Sequence, residues 1–246
     1  GMVTQIEKAW LQAFFPGRFR KEDATTFDDS GKRIRGEVRE CYQDLVFSSR
    51  ETETFDEEVA ARLFAEGIQE GSFTIKAWNQ QVERWIQRVN FLAENQPESG
   101  FNPIDGEARQ TLLETLCHGC KSSREIRELN PWPTLKSWIP PGMDSWLDRA
   151  VPESIDLPTR KRPFKIRYDG EDGLPVLAAT IQELYDVKPE QLTLLEGAFP
   201  LKLEILGPNR NPVQILTADR LPQFWETSYP EIRKDLKGRY PKHEWR

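Results

Sequence analysis

Cys117-His118-Gly119-Cys120 is the run of this 246-residue sequence whose residue types and spacing most readily suggest chemistry. A CxxC pair can act as a dithiol couple where a helix start lowers a thiol's pKa, or it can supply half of a zinc site. Here the run sits at the end of a helix predicted over Gly106 to Cys117, where the macrodipole disfavours a thiolate. No second CxxC exists, and only Cys41 and His243 are left to be recruited from afar, so no metal ligands are assigned. The pattern favours buried thiols, with Gly119 stopping the helix. Carboxylate pairs such as Asp28-Asp29, Glu57-Glu58 and Glu171-Asp172 fall where turns and helix starts want acids, and they single out no acid/base pair. The two histidines, His118 and His243, offer little for a proton relay, and neither GxSxG nor HExxH occurs. There is no Gly-rich loop ending in Gly-Lys-Ser/Thr and no GxGxxG after a strand. No catalytic residue is assigned.

A second candidate chemistry is phosphate neutralisation. Residues 160–246 carry 15 Lys plus Arg against 13 Asp plus Glu, whereas residues 1–159 carry 19 against 27. Within the basic part, Arg233, Lys234, Lys237, Arg239, Lys242 and His243 stand close together, with Tyr229, Tyr240 and Trp245 available to stack on unpaired bases. The opposing interpretation is a solvated helix face on a chain of net charge -6. Arg84 and Arg88 raise the same choice at a spacing of four: they reach phosphates, or they snorkel over the core edge and pair with acids such as Glu83.

The elements that must position these residues follow from periodicity. Ile6, Trp10, Leu11 and Phe14 predict a helix over Val3 to Phe15, stopped by Pro16-Gly17. Lys32 to Thr52 predicts two half-buried strands after the Asp29-Ser30-Gly31 turn. Thr54-Phe55-Asp56-Glu57 has the form of a capping box for a helix ending near Gly67 or Gly71. A long helix over Trp78 to Ala93, a loop over Gln96 to Asp105, a helix over Gly106 to Cys117 and a short one capped by Ser122 come next. Prolines then divide the chain into short helical turns carrying Trp132, Trp138 and Trp146. Beyond Pro152, Phe164 to Tyr168 and Leu201 to Ile205 alternate as strands, and Val176 to Tyr185 looks helical. Gly207 to Pro212 is a hairpin turn, Val213 to Leu216 the returning strand, and Leu221 to Trp225 and Glu231 to Lys237 closing helices. Three segments result: a helix and strands over residues 1–55, a helical subdomain over 56–150, and an α+β unit over 151–246.

Composition bounds the class. At 37% hydrophobic and 30% charged the chain is polar, yet eight Trp, thirteen Phe and five Tyr supply a core. Three cysteines, an odd number, point to a reducing cytoplasm rather than a disulfide framework. No apolar run approaches the roughly 20 residues that cross a bilayer, so no membrane partner is expected. The opening Gly1-Met2 reads as the scar of a cleaved tag, and hence the chain as an excised piece.

At the C-terminus the residues themselves resemble a known family. Arg210-Asn-Pro-Val-Gln-Ile-Leu-Thr-Ala-Asp219, Phe224-Trp225, Tyr229-Pro-Glu-Ile-Arg-Lys234 and Leu236-Lys-Gly-Arg-Tyr-Pro-Lys-His243 resemble the closing segment of HrpB-type bacterial ATP-dependent helicases. Pro175-Val-Leu177, Ala150-Val-Pro152 and Trp85-Ile-Gln-Arg-Val-Asn-Phe-Leu92 extend the similarity upstream. The WPxxP usual after the final His is replaced by Glu244-Trp245-Arg246. The resemblance implies a DEAH-box-like protein with two motor domains, followed by winged-helix, helical-bundle and OB-like regions and a family-specific C-terminal domain. It implies that ATP and Mg belong to motor domains absent here, with no cofactor in this chain and no activity to carry over. The implied fold is α+β: an OB-like β region near the N-terminus, a Trp-rich helical middle, and a small C-terminal sheet with helices. The expected role is accessory: holding single-stranded RNA or DNA leaving the motor through Arg233, Lys234, Lys237, Arg239, Tyr240, Lys242 and His243. The competing expectation is a docking module for a protein partner or for the helicase motor domains in cis.

Overall fold

A computed structural model of the chain describes residues 8–170 and 172–246. In chain order the elements are α1 (Lys8–Phe14), β1 (Phe19–Phe27), β2 (Ile34–Tyr42), β3 (Leu45–Thr52), α2 (Glu57–Gln69), α3 (Gln80–Asn95), α4 (Gly106–Cys117), α5 (Ser123–Arg127), α6 (Trp132–Trp138) and α7 (Asp144–Ala150). There follow β4 (Ser154–Ile155), β5 (Phe164–Arg167), β6 (Val176–Thr180), β7 (Thr193–Leu194), β8 (Phe199–Pro200), β9 (Lys202–Leu206), β10 (Pro212–Thr217), α8 (Leu221–Thr227) and α9 (Tyr229–Arg239). The chain is α+β and divides into two compact units, each discontinuous in sequence. One takes the residues through Asn79 together with Asp105–Leu135; the other takes Gln80–Ile104 together with Lys136–Arg246. This division cuts across the three consecutive segments drawn from the sequence.

The first unit opens with an antiparallel meander in the order β1-β2-β3. The sequence predicts only the last two strands. β1 reads Phe-Arg-Lys-Glu-Asp-Ala-Thr-Thr-Phe and buries no residue fully, so no apolar alternation announces it; its pairing with β2, from Phe19 opposite Tyr42 to Phe27 opposite Ile34, creates it. Asp28 builds the turn between them, accepting from the Ser30 hydroxyl at 2.8 Å and from Lys32 N at 3.0 Å, and these donors hold its carboxyl below the ordinary range. An OB-like fold needs five strands in a partly open barrel, and the described residues form three here.

Helix α2 starts one residue pair later than its sequence pattern suggests. Asp56, not Thr54, is the N-cap, accepting from Glu58 N at 2.9 Å and Val59 N at 3.1 Å. The helix ends before Gly71, whose φ of +82° is open to glycine and strained for other residues. Ala60, Ala61, Phe64 and Ala65 bury its inner face with Ile34, Ile75, Leu113, Cys117 and Ile126. Phe27, Phe64 and Phe73 meet pairwise with ring centroids 5.3–5.4 Å apart.

The second unit is built on a five-stranded sheet ordered β10-β9-β6-β5-β4. β6 runs parallel to β9, with Val176 opposite Lys202. The expected helix over Val176 to Tyr185 is therefore a strand followed by a single 3-10 turn, Ile181–Leu184. Thr180 N–H donates to the Glu183 carboxylate at 2.9 Å, so the capping pattern is real but opens one turn only. Phe164, Leu177, Ile181, Leu184, Leu203 and Ile205 form the sheet's core at 3% exposure or less.

Helix α3 lays Val82, Trp85, Ile86, Val89 and Leu92 into this unit, as their spacing predicts. Of the two alternatives for Arg88 the structure shows pairing with acids, though inside the fold rather than at the core edge: it is 2% exposed and faces no solvent phosphate. Its guanidinium donates to Val151 O at 2.5 Å and Asp148 Oδ1 at 2.6 Å, with Glu153 at 3.6 Å. The tryptophans of the helical middle are also used internally in this unit. Trp85 is buried, Trp138 Nε1 donates to Asn102 O at 3.1 Å, and the Trp146 ring lies 5.8 Å from Phe101.

Candidate nucleic-acid interface

Helix α9 carries most of the basic cluster because its sequence is amphipathic in charge rather than in bulk. Pro230 fills the first turn, where its missing N–H costs nothing. Tyr229 and Leu236 are buried, Arg233 is half-buried, and Lys234, Lys237 and Arg239 are exposed. Arg233, Lys234 and Lys237 line one shallow depression with Pro230 and Gly238. No ion pair or hydrogen bond engages these three side chains among the described residues. Arg239 differs, since it pairs with Asp235 one turn earlier at 3.0 Å.

The rest of the predicted site lies past the helix end. Tyr240 is the C-cap and a backbone hub: its N–H donates to Leu236 O, while its carbonyl accepts from His243 N at 3.2 Å and Trp245 Nε1 at 2.9 Å. Its ring meets His243 edge-on with centroids 6.1 Å apart, and Lys242 and His243 are exposed. The aromatic stacking platform predicted from sequence does not form from Tyr229 and Trp245. Tyr229 is 6% exposed, and its hydroxyl lies 2.6 Å from that of Tyr185. Trp245 is half-buried, its indole spent on Tyr240.

What sequence reasoning missed is the clasp made by the last three residues. Glu244 O accepts from Gln182 Nε2 at 3.1 Å, and Arg246 N–H donates to Tyr229 Oη at 3.2 Å. The Arg246 guanidinium sits 4.7 Å from the Tyr185 ring centre and pairs with Asp186 and Glu244. Burial and the Tyr229 hydroxyl push the Tyr185 phenol up, while its carboxylate partners, Asp186 foremost, push Arg246 further up. Glu244-Trp245-Arg246 thus anchors the tail beside α9. No sequence spacing signals this, because the partners lie some sixty residues apart.

The other chemical candidates come out as follows. Cys41, Cys117 and Cys120 are free and buried. Burial pushes the Cys117 thiol up to about 12 and raises Cys120 as well, which opposes thiolate chemistry. Gly119, at φ +80°, follows the helix end as predicted. His118 is exposed, 3.8 Å from Glu57. Among the described residues no group of three or more His, Cys, Asp or Glu could hold a metal ion, and no helix is long and apolar enough to cross a membrane. Arg84 lines a groove beside Lys165 and Arg167, but Glu83, Glu153 and Asp169 balance them there.

Residues 112–246 match the HrpB_C family, described as ATP-dependent helicase C-terminal. Over 234 residues the chain is 31% identical to the ATP-dependent RNA helicase HrpB of Escherichia coli (strain K12), covering 94% of this chain and 28% of that protein. A crystal structure of E. coli DExH-box NTPase HrpB matches with a TM-score of 0.69 at 28% identity, over 98% of this chain and 30% of that one. A crystal structure of Escherichia coli DEAH/RHA helicase HrpB matches with a TM-score of 0.60 at 28% identity, over 93% of this chain and 29% of that one. The chain thus spans less than a third of the length of the proteins it matches.

Proposed function

The chain belongs to the HrpB family of ATP-dependent helicases, whose C-terminal region it matches, and on that premise we propose that it is an accessory region that holds single-stranded RNA or DNA for the motor. The observation that carries the proposal is the set of Arg233, Lys234 and Lys237 on α9, cationic, grouped on one depression and without acidic partners among the described residues. Lys242 and His243 extend this surface beyond the helix end. Arg239 and Tyr240 serve it by position, one held by Asp235 and the other fixing the turn. With Tyr229 and Trp245 engaged in the fold, contact is made to the phosphate backbone rather than by a stack of aromatic rings. In this proposal ATP and Mg2+ are handled by motor domains of the whole protein, and the β1-β2-β3 meander contributes to its OB-like region.

Fluorescence anisotropy of a labelled single-stranded RNA, between about 50 and 200 mM salt, tests it. Four phosphate contacts, from Arg233, Lys234, Lys237 and Lys242, give an expected log-log slope of about -3, at about 0.7 per contact. Lys237→Glu flattens the slope by about 0.7 or more. No binding at the low-salt end would overturn the proposal.

That outcome would favour docking to the motor or to another protein, for which a separate observation exists. Trp10, Phe14, Phe15, Leu45 and Val46 are 47–77% exposed. Leu45 and Val46 follow the β2–β3 turn, in which Gln43 N–H donates to Arg18 O, and Trp10, Phe14 and Phe15 lie in the segment that leads into Arg18. Large exposed apolar groups of this kind mark protein contacts.

A further inference from the structure

β10 is the outer edge of the five-stranded sheet, hydrogen-bonded to β9 on one side alone. Natural sheets blunt such edges with charges, prolines and bulges. Here Pro212 and a bulge between Pro212 and Gln214 protect the end next to the hairpin turn, and nothing comparable protects Gln214 to Thr217. That stretch carries no charge, and its Ile215 side chain is 52% exposed. No hydrogen bond outside the β9 ladder engages residues 213–216 among the described residues, and Thr217 opens the 3-10 turn Ala218–Arg220 as its N-cap.

A groove of about 560 Å³ runs along this unprotected stretch, with β10 as one wall and Arg220, Gln223, Phe224 and Thr227 as the other. Its lining includes two cations, Lys202 and Arg220, and no acid. Lys202 is neutralised by Asp172, whose carboxyl it holds below the ordinary range. Arg220 is exposed and engaged by no ion pair or hydrogen bond among the described residues.

A row of unpaired backbone N–H and C=O groups is matched by another polypeptide backbone and by little else, and a neighbouring helix wall then selects side chains. One free cation is too few to hold a nucleic acid, while it suffices to choose an acidic side chain on a peptide. We propose that the β10 edge and the α8 wall form a strand-addition site for an extended, acidic segment of a partner protein, with an apolar side chain over Ile215 and a carboxylate at Arg220. This surface is separate from the basic face of α9 and does not depend on the nucleic-acid proposal.

The probe is a fluorescently labelled, acetylated octapeptide alternating valine and glutamate, titrated into the whole chain. Binding is expected, with slowed amide exchange at residues 214–217. Arg220→Glu, an exposed position, weakens it about tenfold, and a valine–lysine octapeptide then binds the variant better than the wild type. Two analogues, methylated on nitrogen at every valine or at every glutamate, keep the side chains but each block one hydrogen-bonding edge. One of them loses about tenfold or more, as loss of several ladder bonds requires. Equal binding of both analogues would overturn strand addition, and so would absence of binding at about millimolar peptide. Light scattering that shows a dimer with residues 214–217 already protected would give the edge to a second copy. Displacement of the peptide by single-stranded RNA would give it to nucleic acid; either result sinks the proposal.

Discussion

Cys117 is wholly buried in the first unit, and its proton links stability to pH. The folded thiol titrates at about 12 against an ordinary value of 9.0, burial being the main cause and Cys120 the second. Below pH 9.0 the folded and unfolded chains both keep this proton, so it contributes nothing to the pH dependence. Above that value the unfolded chain releases it while the folded chain retains it. Unfolding is then favoured by up to about 1.4 kcal/mol per pH unit from this group, until the folded thiol itself titrates. The urea midpoint of the wild type is therefore expected to fall relative to Cys117→Ala as pH rises from about 9 to 11. A difference between the two proteins that stays constant over that range would show that the buried thiol is not the cause. The same burial explains why CxxC spacing misleads: spacing is visible in a sequence, whereas the dielectric around the sulfurs is a property of the assembled core.

At the scale of elements, the first unit turns on the crossing of Thr52–Asp56 over β2. Gly36 lies under this crossing, where a Cβ would meet the Thr54 carbonyl oxygen and the Thr52 hydroxyl, both backbone-tethered or short and unable to swing away. Behind the crossing, Asp56 N–H donates to Thr25 Oγ1 at 2.9 Å while its carboxylate caps α2. Gly36→Ala must move the segment that holds the cap, at an expected cost of about 1–3 kcal/mol by urea denaturation, with the m-value unchanged. A cost near zero would mean the crossing is soft. Elements with a clear local signal were legible in advance: α3 from its apolar stripe, β9 from alternation, and β10 as the strand that the short Gly207 turn must return. β1 was not, because six of its nine residues are polar and partner pairing, not pattern, makes it a strand. β6 was misread because Val-Leu-Ala-Ala-Thr followed by a Thr180–Glu183 cap looks helical locally, while parallel pairing with β9 overrides that preference. The basic face of α9 was visible as a cluster, yet the Arg246 clasp was not, since it joins groups distant in the chain.

At the scale of the whole molecule, segments adjacent in sequence belong to different units, and this has a consequence for cutting the chain. Composition changes after Pro152, which suggests a boundary near residue 150, but the second unit also needs Gln80–Ile104. From that stretch, Arg88 satisfies the Val151 carbonyl at 2.5 Å, and Phe91 packs with ring centroids 5.9 Å from Tyr168 and 4.9 Å from Phe199. Helix α7 packs on the turn Leu195–Gly197. A fragment of residues 151–246 loses all of these at once. An unsatisfied buried acceptor costs about 1–3 kcal/mol and each large apolar partner about 1.5–3, against a typical total of about 5–15 kcal/mol. The fragment is therefore expected to bind a hydrophobic dye and to melt without a cooperative transition, whereas residues 80–246, which keep the entire second unit, retain one. A sharp, native-like transition from 151–246 alone would show that α3 decorates the sheet rather than completes it. In that event the boundary near residue 150 would mark a true folding unit, with α9 and its basic face carried on it.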